Sequence, residues 1–204
     1  MKIICIGRNY ADHIAELHNE TPVAPVIFMK PETALLQRNQ PFFIPDFSQD
    51  IHHEIELVLH VCKNGRHIDA QFAHTYFDGI GLGIDFTARD LQAQLKKQGL
   101  PWELAKAFDG SAPVSEQFIP ATEIADFANI NFRLEANGAL RQQGNSGLML
   151  HPFVKIISFV SQYITLKQGD LIFTGTPAGV AAVQAGDELV GYLENQEMLR
   201  LRVR

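Results

Sequence analysis

The chain has 204 residues, 46% of them hydrophobic, with 23 acidic and 17 basic side chains. That length and apolar share suit one domain spanning residues 1–204 with a substantial core, and they exclude disorder and low complexity. The formal charge of −6 argues against nucleic-acid binding, and no apolar stretch approaches the length needed to span a membrane. Lys2–Gly7 is apolar and β-branched and predicts a strand directly after Met1, with no charged region leading into a long apolar one. Asn9 reads as a helix N-cap, followed by helical spacing of Tyr10, Ile14 and Leu17 over Tyr10–His18. Val26–Lys30 predicts a strand stopped by Pro31, and Pro41–Pro45 an extended piece. His53–Val61 alternates as a strand, with Ile55, Leu57, Leu59 and Val61 on one face and Glu54, Glu56, Val58 and His60 on the other. Asn64-Gly65 signals a turn, Asp69–Asp78 a helix, and Gly79–Phe86 a glycine-rich strand. Thr87 is expected to cap a helix from Ala88 to about Gln98, closed by Gly99 and Pro101. Asn129–Ala136 and Ala139–Gln143 flank Asn137-Gly138 and give the strongest hairpin signal in the chain. Pro152–Ile164 predicts an apolar helix and Asp170–Gly175 a buried strand. Glu188–Leu193 and Met198–Val203 predict a second hairpin about Glu194–Glu197, its last strand an edge with Arg200, Arg202 and Arg204 facing solvent.

Strands outnumber helices and come in hairpins, so the expected fold is α+β around a mixed, strongly curved sheet. Gly79, Gly81 and Gly83 lie inside a strand without a following phosphate loop, which argues against a nucleotide site. Cys5 and Cys62 lie in apolar runs and read as buried free thiols, which fits a reducing compartment and a cytoplasmic location.

Glu54 and Glu56 are two apart in a strand and therefore share a face. Either that face is solvated or a cation lies between them. Val58 continues the same face and the opposite face is apolar, so the strand looks covered on both sides, where two ionised carboxylates need a cation. Asp85 ends an uncharged run just before a helix. Three carboxylates without cysteine make a hard oxygen site suited to Mg2+, Mn2+ or Ca2+, with positions left open for water or substrate. His52, His53, His60, His67 and His74 crowd one region, but their spacing fits no usual zinc pattern. His13 and Glu16 share a helix face. They read as a solvated ion pair or as a carboxylate-oriented general base. Lys106, between Trp102 and Phe108, reads as a snorkelling surface residue or as a desolvated cation aimed at developing negative charge.

Six stretches, in order, resemble the fumarylacetoacetate hydrolase family. They are Gly7-Arg-Asn-Tyr-Ala-Asp-His13, Phe28-Met-Lys-Pro-Glu-Thr33, His52-His-Glu-Ile-Glu56, Asp85-Phe-Thr-Ala-Arg-Asp90, Pro101-Trp-Glu-Leu-Ala-Lys-Ala-Phe-Asp109 and Thr174-Gly-Thr-Pro-Ala-Gly-Val180. The likeness covers nearly the whole chain and is greatest to the small acylpyruvase and oxaloacetate-acting branch. It implies a β-roll homodimer and Mg2+ or Mn2+ held by Glu54, Glu56 and Asp85. It also implies catalytic His13, Glu16 and Lys106, and substrate contacts from Arg89, Gln92, Thr176 and Lys30. The implied substrate is a small 2-oxo acid and the expected reaction is hydrolysis of the C–C bond of a 3-acylpyruvate. Oxaloacetate tautomerisation or decarboxylation, isomerisation of a 2-hydroxy-diene-dioate, and an inactive binding module stand as alternatives. Gly179-Val-Ala181 and Asn145-Ser-Gly-Leu-Met149 depart from the family pattern and bear on substrate identity more than on the metal.

Overall fold

A computed structural model describes residues 1–36 and 40–204. In chain order its elements are β1 (Ile3–Gly7), α1 (Ala11–Glu16), β2 (Val26–Lys30), β3 (Ile51–His53), β4 (Ile55–Val61), α2 (Ala70–Ala73), β5 (Phe77–Ile84), β6 (Thr87–Ala88) and α3 (Arg89–Gln98). There follow α4 (Glu103–Lys106), β7 (Ile119–Pro120), β8 (Asn131–Ala136), β9 (Ala139–Asn145), α5 (Phe153–Tyr163), β10 (Leu171–Phe173), β11 (Ala181–Ala182), β12 (Glu188–Leu193) and β13 (Gln196–Arg202). The fold is α+β, as the excess of hairpins predicts.

Six strands form the largest sheet in the order β2-β1-β10-β4-β5-β7. β1 pairs with β10 in parallel, and the other ladders of this sheet are antiparallel. β4 is central, and its alternation is resolved into two apolar clusters. Ile55, Leu57, Leu59 and Val61 enter the main core. Val58 points the other way, into a smaller cluster with Ile3, Cys5, Leu171 and Phe173. Coverage of both faces excludes water from the strand, so a polar group on it must find its partners inside the protein.

The glycines of β5 answer to the same crowding. A Cβ on Gly83 would lie 2.5 Å from the Phe173 ring and 2.9 Å from Val58. Bare backbone there lets β5 press against the small cluster while it pairs with β4.

The second sheet, β13-β12-β8-β9, packs its apolar face on β4 and β5. Its ladders shift register at Gly191/Tyr192 and at Leu134/Glu135, and such bulges bend a sheet. It curls about the main core without closing into a barrel. The predicted hairpin at Asn137-Gly138 forms, and β13 lies at the sheet edge, with Leu199 and Leu201 buried and Arg200 and Arg202 exposed. The helix predicted from Pro152 also forms, burying Phe153, Ile156, Ile157 and Val160. No helix is long and apolar enough to cross a membrane among the described residues.

Several local expectations are corrected. The run His53–Val61 is broken at Glu54, because β3 leaves the large sheet to pair with β6 and β11. Asn9 does not cap α1. Its side-chain amide donates to the carbonyls of His151 and Thr174 and its oxygen accepts from His151 N–H, joining three remote segments. Thr87 does not cap α3 either, because it lies in β6 with its hydroxyl turned inward. The helix expected over Asp69–Asp78 shrinks to α2, since Phe77 is drawn into β5. The last turn is tighter than Glu194–Glu197, because Gln196 already belongs to β13. Cys5 is buried, whereas Cys62 is partly exposed.

Candidate active site

One hairpin delivers the three acids. Glu54 is the corner before β4, Glu56 faces Gly83 across the β4/β5 ladder, and Asp85 follows β5. The Asp85 N–H donates to the Glu54 carbonyl at 2.8 Å, fixing the two ends of the hairpin against each other. One carboxylate oxygen from each residue lies within 4.8 Å of the other two. All three side chains are buried, with Asp85 only 1% exposed.

The cations are shared unevenly. Lys106, at the end of α4, places Nζ 2.8 Å from Glu54 Oε2, 2.5 Å from Asp85 Oδ2 and 2.6 Å from Thr87 Oγ1. Arg89 donates to Glu54 Oε1. Burial opposes ionisation of Glu54, but Lys106, Arg89 and His13 outweigh it and hold the carboxyl well below the usual glutamate range. Burial likewise disfavours a charged Lys106, and Asp85 and Glu54 overcome it and push its pKa up. Lys106 is therefore a desolvated cation and not a snorkelling one. Among the described residues Glu56 receives only the Gly175 N–H, at 2.7 Å. Burial first, and then the charges of Asp85 and Glu54, drive its carboxyl well above the ordinary range.

This floor fits a divalent cation. Its donors are all hard oxygens, and among the described residues Glu56 has no ion-pair partner. Lys30 Nζ lies 2.8 Å from Asp85 Oδ1 but is not aligned to donate to it, which leaves that oxygen without a hydrogen bond. Such a set suits Mg2+ or Mn2+, and Glu54, Glu56 and Asp85 would be its ligands.

The remaining expected residues fall into three positions. His13, Arg89, Gln92 and Thr176 line the cavity above the acids together with Arg8, Phe28, Lys96 and Trp102. His13 is buried on α1 with Nδ1 3.2 Å from Glu16 Oε2, and the other Glu16 oxygen accepts from Gly179 N–H at 3.0 Å. A Cβ on Gly179, whose φ is 98°, would collide with the Arg141 carbonyl. The glycine thus permits the close approach that anchors Glu16. Arg89 donates to Gln92 Oε1 at 2.7 Å, which holds the two as a unit. Lys30 sits behind Asp85, among Ser111 and the carbonyls of Lys106 and Phe86, and does not line the cavity.

Gln142, on β9, was not singled out by its sequence context. Its Nε2 donates to Thr176 Oγ1 at 2.8 Å and to the Pro177 carbonyl, and its Oε1 accepts from Ile55 N–H. His53 Nδ1 lies 2.9 Å from the same oxygen. Gln142 thereby ties Thr176 to the start of β4. Arg141 and Gln143 on either side are exposed, and no local signal separates the buried member of that polar run.

With this geometry in view, residues 2–204 match the family described as fumarylacetoacetate (FAA) hydrolase C-terminal. The chain belongs to that enzyme family. It is 42% identical over 201 residues to the mitochondrial oxaloacetate tautomerase FAHD1 of Bos taurus, covering 98% of this chain and 90% of that protein. It is 45% identical over 189 residues to the oxaloacetate tautomerase YcgM of Escherichia coli K12, covering 92% and 86%. A solved structure of fumarylpyruvate hydrolase from Pseudomonas aeruginosa in complex with Mn2+ and pyruvate superposes with a TM-score of 0.92 at 33% identity, covering 100% of this chain and 89% of that one.

Proposed function

We propose that this chain is a divalent-metal-dependent enzyme that interconverts the keto and enol forms of oxaloacetate. The observation that carries the reading is that His13, held by Glu16 through Nδ1, lines the same pocket as Glu54, Glu56, Asp85 and Lys106. The oxaloacetate tautomerases at 42% and 45% identity support the choice of substrate.

In this reading Glu54, Glu56 and Asp85 would hold Mg2+ or Mn2+, which would supply Lewis-acid stabilisation of negative charge on a bound 2-oxo acid. Arg89 and Gln92 orient the bound acid, and Thr176, steadied by Gln142, contacts its carboxylate. Lys30 positions Asp85 from behind. His13, with Nδ1 turned to Glu16, presents Nε2 to the substrate and takes the proton from C3. The C–H electron pair becomes the C2–C3 double bond, the π pair of the C2 carbonyl moves onto its oxygen, and the His13 imidazolium returns the proton to that oxygen through water. Lys106, which lines the same cavity, would stabilise the charge that develops on that oxygen.

A second reading keeps the same residues. With a 3-acylpyruvate, His13 takes a proton from water, the resulting hydroxide adds to the distal carbonyl, the C3–C4 bond breaks to release an acid and the pyruvate enolate, and His13 returns its proton to C3 to give pyruvate. The likeness to the Pseudomonas aeruginosa fumarylpyruvate hydrolase favours it. The test is product analysis on the Mg2+-loaded protein with oxaloacetate, acetylpyruvate and fumarylpyruvate. Accelerated loss of the oxaloacetate enol without pyruvate, abolished by EDTA and restored by Mg2+, is the expected result. Release of pyruvate with an acid would replace it with the hydrolase reading, and release of pyruvate with CO2 with a decarboxylase. Inertness toward all three would point to a binding module.

A further inference from the structure

Two of the cations lining the pocket are not used by the acids on its floor. Arg89 and Lys106 are paired with Glu54 and Asp85. Arg8 and Lys96 have no carboxylate within ion-pair distance among the described residues. Both instead lie against Trp102, with the Arg8 guanidinium 5.9 Å and Lys96 Nζ 5.3 Å from the ring centroid. Like charges brought to one indole repel each other, and an aromatic face offsets only part of that.

Each is held there at some cost. Arg8 sits at φ 58°, in the left-handed region that a residue with a side chain rarely occupies. Its Nε is buried without a hydrogen-bond partner. Among the described residues the Lys96 ammonium donates only to Asn19 Oδ1, at the long distance of 3.5 Å. Burial, and then the charges of Arg8, Arg89 and Lys106, lower its pKa to about 8. A cationic pair with unmet donors beside a ligand pocket is complementary to an anion.

We propose that Arg8 and Lys96, gathered at Trp102, form a second anionic subsite at the pocket mouth that takes the distal carboxylate of a dicarboxylic 2-oxo acid. This rests on the reading that the floor binds the 2-oxo acid head. Phe28 connects the two regions, with its ring 5.1 Å from Lys106 Nζ and 6.2 Å from Trp102. Arg8, Lys96 and Trp102 are partly exposed while the acids are buried, so an acid held by its head on the floor extends its far end toward them. Charge balance agrees. Four cations and three carboxylates line the pocket, so a divalent ion on the floor leaves an excess of three positive charges. A dianion comes closer to neutralising that excess than a monoanion does. The subsite therefore selects diacids over 2-oxo acids ending in a neutral acyl group.

The test is calorimetric titration of the Mg2+-loaded protein with oxaloacetate, its 4-methyl ester and pyruvate. Wild type should bind oxaloacetate at least about ten-fold more tightly than the ester, as expected for a charge-assisted contact. Arg8→Met and Lys96→Met should each remove most of that preference while changing pyruvate affinity less than about three-fold, and Lys96→Arg should retain it. Equal binding of diacid and ester by wild type would overturn the subsite. So would a loss shared equally by all three ligands in the variants, which is what a purely structural cation–π clamp produces. An intact diacid preference in a protein that turns over no 2-oxo acid would retain the subsite and refute the catalytic reading. Failure of pyruvate to bind the loaded protein would refute both.

Discussion

Glu56 is the acid in the pocket left without a cation, and its behaviour separates metal binding from simple ion pairing. Its folded-state carboxyl is raised above the ordinary 4.5, so it favours the protonated native state. That contribution to stability is present below the unfolded value and is lost as pH rises through the folded one. A divalent ion relieves the charged form but must displace the proton from the neutral one. The rise in melting temperature on adding Mg2+ should therefore be larger at pH 8 than at pH 5, as read by calorimetry in Mg2+ and in EDTA. An equal or reversed increment would contradict the assignment of Glu56 as a ligand. Lys106→Met removes the ammonium shared by Glu54 and Asp85, and loss of one partner from a buried charged set costs about 3–5 kcal/mol. Denaturant unfolding should show the larger loss in EDTA, because Mg2+ supplies part of the missing charge. His13→Ala should lower turnover by roughly 10²–10⁴-fold and keep the Mg2+-dependent stabilisation. Full activity would remove the imidazole from the reaction.

At this scale the sequence was legible where partners are close in the chain or set in a strand pattern. Glu54 and Glu56 declare their shared face by spacing, and His13 and Glu16 by one helical turn. Gln142, Arg8 and Lys96 do not, because Gln142 and Arg8 meet partners dozens of residues away and Lys96 gains its meaning only from being brought to Trp102 beside Arg8. Asn9 shows the same limit, since a residue type that suits an N-cap was taken up by two remote carbonyls.

Among the elements, the β4/β5 hairpin carries the site, and its register depends on backbone that fits beneath Phe173. Gly83→Ala puts a methyl 2.5 Å from that ring, and overpacking of this kind costs about 1–3 kcal/mol. Urea denaturation should show that loss, together with weaker Mn2+ binding, because Gly83 is the ladder partner of Glu56. Unchanged stability would mean that the ring moves freely and that the hairpin is not set by this contact. Long periodic elements and the Asn137-Gly138 hairpin could be read from local pattern alone. The start of β5 could not, because pairing with β4 captured Phe77 from an apparently helical run. Thr87 likewise left its expected capping place when β6 paired with β3.

Over the whole molecule, two apolar clusters on opposite faces of β4 create a dry position that forces acidic side chains to meet a cation. The hydrophobic alternation of the strand, visible in the sequence alone, implies the coverage and hence the demand for charge. What alternation does not encode is which cations arrive, because Lys106, Arg89 and Lys30 are brought by separate elements. The carboxylates of Glu54, Glu56 and Asp85 are proposed to hold one divalent ion. Anomalous diffraction from a crystal grown with Mn2+ tests it most directly. A single peak within about 2.0–2.6 Å of one oxygen from each of the three residues is the predicted result. A peak elsewhere, or none at saturating Mn2+, would contradict it.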